Sequence, residues 1–166
     1  MAIPESAVLL AGFVLAHAVW SVSDLPKDEL LVPLAIIEKN GQRELLRFEA
    51  DTQVQAISNG KAMVAKRQVD ADAWAFAREG QLKEGDKYVD AISIDLWAKG
   101  MDVPITFVQR FQPFATGEFK LLGEASVVID GKVQTAAVSD PLVALLNRGI
   151  QTHSKAAKLW PQWQKK

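Results

Sequence analysis

Ala7-Val-Leu-Leu-Ala-Gly-Phe-Val-Leu-Ala-His-Ala-Val-Trp20 runs almost without a polar atom. A helix that is apolar on every side must be buried all round, inserted in a membrane, or removed as a signal. A membrane span needs about 20 apolar residues. This run is shorter, holds His17, and passes at once into Ser21, Ser23 and Asp24. A secretory signal fits in one respect: residues 7–16 form an apolar core, and Ala16-His17-Ala18 has the small-x-small form of a cleavage site. The leader does not fit, because Met1-Ala-Ile-Pro-Glu-Ser6 carries Glu5 and no Lys or Arg. The expectation is a retained, buried helix over residues 4–22. Pro4 suits its first turn, where a missing N–H costs nothing. A cytoplasmic location goes with that reading, and export is the alternative if residues 1–18 are a signal.

Outward from this segment the chain turns repeatedly. Asn40-Gly41 separates Leu34–Lys39 from Gln42–Glu49, and Asp130-Gly131 separates Phe119–Ile129 from Lys132–Val138. Both dipeptides tolerate positive φ and mark two-residue hairpins. The first turn sets Glu38 opposite Arg43 and Ile36 opposite Leu45, a favourable cross-strand ion pair beside an apolar one. Val89–Ala98 and Val103–Phe111 alternate cleanly. If Ala98 faces Val103, then Ile92, Ile94, Leu96, Ile105, Phe107 and Phe111 share a core face. Ser93, Asp95, Trp97, Thr106, Val108 and Arg110 share the other.

Residues 69–79 read two ways. Asp70 can cap a helix ended by Gly80, but alternation of Ala71, Ala73, Ala75 and Ala77 with Trp74 and Phe76 favours a strand. A middle helix capped by Asp51 is expected through Val54, Ile57, Met63 and Val64, with Asn59-Gly60 a point of interruption. A last helix is expected from Asp140 as cap and Pro141 as first residue. Its stripe comprises Leu142, Leu146, Ile150, His153, Ala157 and Trp160, with Pro161 as its stop. Strands joined by tight turns rather than helical crossovers specify an α+β fold. The expectation is one domain over residues 1–166. It holds a single antiparallel sheet of about five to seven strands, with N-terminal, middle and C-terminal helices mainly on one face.

Composition narrows the chemistry. The 166 residues contain no Cys, which removes disulfides, thiol nucleophiles and iron–sulfur ligation. There is no G-x-G-x-x-G, P-loop, H-E-x-x-H or EF-hand loop, and no G-x-S-x-G elbow. His17, Ser21 and Asp24 imitate a triad only in composition, since side chains on one helix do not point at one another in relay. A metal site would require His17 and His153 to meet a carboxylate such as Asp95, and no spacing points to it. No cofactor and no metal are expected.

Three surfaces carry what functional signal there is. Ser93, Asp95, Trp97, Thr106 and Arg110 on one sheet face can bind an anionic or planar ligand. Phe13, Trp20, Trp160 and Trp163 suggest contact with a protein partner or a second copy, because an all-round apolar helix and five Trp exceed what a small core is expected to absorb. All 20 acidic residues precede position 141, whereas the last 26 residues hold Arg148, Lys155, Lys158, Lys165, Lys166 and no acid. Such an arm with two indoles is the nucleic-acid alternative. The leading expectation is a non-catalytic domain acting through protein contact or homo-oligomerisation, without a membrane span. Ligand binding or catalysis at the sheet face comes next, and nucleic-acid binding by the tail last.

Overall fold

The computed structural model describes residues 2–164. The apolar opening becomes α1 (Glu5–Val22), preceded by Pro4 in extended conformation at the N-cap. Eleven of its eighteen residues are buried. The length and apolarity that would let such a helix cross a membrane are here used inside the fold. Its partner is α3 (Ala136–Ile150), and the two backbones meet where side chains are missing. A Cβ added to Gly12 would collide with the carbonyl oxygen of Leu146, and one added to Gly149 with the carbonyl oxygen of Leu9.

Seven antiparallel strands form one sheet in the order β2-β1-β3-β4-β5-β6-β7. They are β1 (Leu34–Lys39), β2 (Gln42–Arg47), β3 (Ala73–Glu84), β4 (Lys87–Ala98), β5 (Ile105–Gln112), β6 (Lys120–Ile129) and β7 (Lys132–Val133). Asn40 and Gly41 take φ of 52° and 75°, and Glu38 pairs with Arg43 at 3.1 Å across the turn they make. Asp130-Gly131 makes the second expected hairpin. Leu96 faces Ile105, the register in which Ile92, Ile94, Leu96, Ile105, Phe107 and Phe111 form one buried face. Residues 73–84 are strand, so the alternation between Ala and aromatic residues outweighs the Asp70 cap.

The sheet is α+β, with helices packed around it. α1 lies across β3 and β4, and α3 packs on α1 and β6. α4 (Ser154–Trp163) also lies against α1. Among the described residues the opposite face carries only α2 (Gln53–Arg67), seated over β1 and β3. Covering from both sides explains why Ala73 through Ala77 are all buried.

Four local expectations are corrected. Thr52, not Asp51, caps α2, its side chain accepting from the Gln55 N–H at 3.1 Å. Asn59-Gly60 does not interrupt that helix; Gly60 instead lets the Phe76 ring lie against it. α3 starts at Ala136, so Pro141 falls inside it and β7 is only two residues long. The expected last helix is two helices, broken at Gln151–His153, and Pro161 lies within α4 rather than ending it. Helical propensity in Ala136–Ser139 overrides the start signal at Asp140-Pro141, and the packing of Trp163 overrides the stop signal at Pro161. Trp163 is buried edge-on to both Trp160 and Phe119. Lys165 and Lys166 of the basic arm lie outside the described residues.

Two measurements test this packing. Gly→Ala in an open helix stabilises by about 1 kcal/mol, but Gly12→Ala and Gly149→Ala are expected to cost on the order of 2 kcal/mol through overpacking. That corresponds to a melting temperature lower by roughly 4–8 °C. Trp160→Ala is expected to cost about 3–5 kcal/mol in chemical denaturation, because the indole is buried.

Candidate functional site

The face away from α1 is only half covered. α2 shields its β1–β3 side, and β4, β5 and β6 beyond it are bare of helices. Strand pairing places Ser93, Asp95 and Trp97 of β4 beside Arg78, Phe76 and Trp74 of β3, and beside Thr106 and Val108 of β5. The five expected ligand residues therefore do share one face, but they do not converge. Trp97 is buried and donates its indole N–H to the Met101 carbonyl at 3.1 Å. Asp95 accepts from the Thr106 hydroxyl at 2.7 Å and is paired with the Arg78 guanidinium. Arg110 lies two rungs further along β5 and pairs with Glu84 at 3.0 Å. Ser93 is half-buried between the two ion pairs.

Arg78 was the missing member of this set. It sits in the segment that read as helix or strand, and its face follows only once that segment is a strand. With it, the face holds two ion pairs, Arg78–Asp95 and Arg110–Glu84. Between α2 and the sheet runs a cleft of about 270 Å³, walled by Val64, Trp74, Phe76 and Pro104 with Asp95 at its floor. Above Gly80 a side chain would meet only open space.

Phe13 and Trp20 lie elsewhere, on the outer stripe of α1. Together with His17 they form a shallow aromatic hollow against the start of α4. Arg43 lies over the Phe13 ring at 5.4 Å and Lys155 over the Trp20 ring at 4.8 Å. Trp160 and Trp163, grouped with them on sequence grounds, are inside the core. Four of the five Trp residues are thus buried, and α1 meets its partners within its own chain. The surplus apolar surface expected from the sequence is absorbed.

The two histidines do meet. His17 Nδ1 and His153 Nε2 are 3.1 Å apart, a contact across 136 residues that no local pattern announces. His153 is the N-cap of α4, and its Nδ1 accepts from the Ala156 N–H at 3.1 Å. In the neutral ring its proton is therefore on Nε2, which donates to His17 Nδ1; His17 in turn carries its proton on Nε2. Both ring lone pairs that face inward are thus engaged in hydrogen bonds within the chain. Asp95 is on the other side of the sheet, and no group of three or more His, Asp or Glu is arranged to hold a metal among the described residues.

Burial holds His17 below its ordinary value of 6.5, helped by His153 and the Arg47 cation. Burial likewise lowers His153, with Lys155 adding to it and a backbone hydrogen bond opposing it. Comparison with protein families, curated proteins and solved structures finds no match. Function is therefore argued from this geometry.

The histidine pair generates a pH prediction. Both folded pKa values are depressed, so the unfolded chain binds more protons than the folded one just below pH 6.5. Stability is full above that pH and falls as pH drops toward the folded values. His17→Gln is expected to show a shallower acid limb when urea midpoints are followed from about pH 7 to 5. An acid limb as steep as the parent's would assign the effect to other groups.

Proposed function

We propose that the protein acts through non-catalytic protein contact, and that the open half of the sheet is its contact surface, taken up by a second copy of the chain. The observation that carries this reading is the asymmetry of the sheet. One face is buried under three helices, whereas Ser93, Thr106, Val108, Leu122, Ser126 and Val128 stay half-buried or exposed on the other.

The chemistry of that face suits a macromolecular partner. Four of its charges are neutralised in place as Arg78–Asp95 and Arg110–Glu84, which lowers the number of unpaired charges that covering it would desolvate. Val108, Leu122 and Val128 supply apolar contact between these pairs. Three strands at about 4.8 Å spacing and about eight residues at 3.3 Å rise span roughly 15 by 25 Å. That patch of roughly 400 Å² is below the roughly 800 Å² a standard interface takes from each partner and suits a weak, concentration-dependent association. Two such faces can pack as sheets do, about 10 Å apart. In this reading α1 stays attached and the protein works in the cytoplasm. Export would require cleavage after Ala18, which would remove the helix that fills the core.

One observation favours a second reading. The cleft beneath α2, with Trp74 and Phe76 as walls, is mainly apolar with three polar groups, Lys61, Gln68 and Asp95, the character of a small-ligand site. Nucleic-acid binding by the tail has less support, because both tail indoles are buried and cannot stack on bases.

Light scattering behind size exclusion tests the main reading. The mass is expected to approach that of a dimer as concentration rises, and Val108→Asp is expected to return a folded monomer. A monomer at every concentration removes the self-association reading and leaves the cleft to be tested with ligands.

A further inference from the structure

On the helix-covered face, at the end of the sheet where α1 finishes, a cavity of about 220 Å³ opens beside Glu79 of β3. The loop after α1 forms one wall through Leu25, Pro26 and Leu30, and Phe111, Pro113 and Phe114 form the other. Glu79 is 8% exposed, a carboxyl almost wholly removed from water. Its Oε1 accepts from the Leu31 N–H at 2.9 Å. Its second oxygen has no protein partner among the described residues. No sealed side-chain oxygen lacks a partner there either, so this oxygen reaches open space, and the space beside Glu79 is this cavity.

The surroundings are electronegative. Asp90, Asp28 and Glu29 also line the cavity, against one cation, Lys27. Asp28 holds a left-handed φ of 70°, which turns the loop over the opening. A buried carboxyl that keeps one oxygen for a visitor, in an apolar chamber with a negative mouth, selects for a positive head on an apolar body. The volume corresponds to about seven water molecules at 30 Å³ each, room for a ligand of about that many heavy atoms.

We propose that this cavity is a binding site for a small primary amine with an apolar or aromatic body, its ammonium hydrogen-bonded to Glu79 and its body packed on Phe111 and Phe114. The site is on the opposite face from the proposed contact surface and does not depend on it. Burial, with Asp90 adding to it, pushes the Glu79 carboxyl above its ordinary value, against the Leu31 hydrogen bond. A carboxyl so placed lowers stability as pH rises through its folded pKa, a cost that an arriving cation offsets.

Benzylamine is the probe, with benzyl alcohol as its neutral counterpart, each titrated at millimolar concentrations at neutral pH into the full chain. Amide NMR and thermal melting are the readouts. Benzylamine is expected to move the Leu31 amide resonance saturably and to raise the melting temperature, and benzyl alcohol to do neither to a comparable extent. Glu79→Gln keeps an acceptor for the Leu31 N–H, so it is expected to fold, to melt no lower than the parent at neutral pH, and to lose the benzylamine response. Equal responses to amine and alcohol, no response to either, or a Glu79→Gln variant that still binds the amine would each overturn the proposal.

Discussion

Close crossing of α1 and α3 at Gly12 and Gly149 is the constraint on which the remaining architecture depends. Each glycine lies against a backbone carbonyl of the other helix, at a separation no side chain tolerates. That approach lets a helix with no polar face be enclosed: α3 and α4 cover one side and the sheet covers the other. Burial of an apolar side chain contributes about 1.5–3 kcal/mol, and Leu10, Leu15, Val8 and Val14 are all fully buried. Widening the crossing by one methyl would loosen these contacts together, because cores are packed too densely to adjust locally.

Enclosing α1 on one face settles what the other face can be. Three of the four helices are committed to the α1 side, and α2 alone is left to cover β1 and β3. The large Phe76 ring fits beneath α2 only because Gly60 leaves room for it. Phe48 meets Phe76 edge-on at 5.9 Å and closes the β1 side of the same contact. Beyond α2 the sheet has no cover, and its side chains neutralise one another instead, as Arg78 with Asp95 and Arg110 with Glu84. This is how an antiparallel sheet leaves one side in water without exposing an apolar plane.

Polar groups inside the core each have a structural cause. Gln109 is buried at the bulge where β5 and β6 slip in register, and its Nε2 donates to the Gly123 carbonyl at 3.1 Å and the Arg110 carbonyl at 3.0 Å. His153 caps α4 and donates to His17, which ties the last helix to the first. Glu79 differs from these, since one of its oxygens is left without a protein partner among the described residues. That oxygen faces the cavity beside it, which sets Glu79 apart from Gln109 and His153.

Much of the fold was legible in local pattern. Asn40-Gly41 and Asp130-Gly131 set two hairpins, because their φ preferences act over four residues. Alternation in Val89–Ala98 and Val103–Phe111 assigned the β4–β5 register and both of its faces, since the strand period is a property of the backbone alone. The apolar circumference of α1 called for burial, which the fold supplies except along the half-buried stripe of Phe13, His17 and Trp20. What surrounds α1, by contrast, was decided by tertiary structure. Gly12 and Gly149 carry no signal in sequence until two helices cross at them. His17 finds His153 across 136 residues, and Arg78 joins Asp95 only after a segment of ambiguous period becomes a strand. Asp140 carried a local start signal and Pro161 a local stop signal, and the packing of α3 and Trp163 overrode both. The division has one physical reason. Turn and strand preferences are energies of neighbouring residues, whereas caps, ion pairs and close helix crossings depend on distances that exist only after the chain has closed on itself.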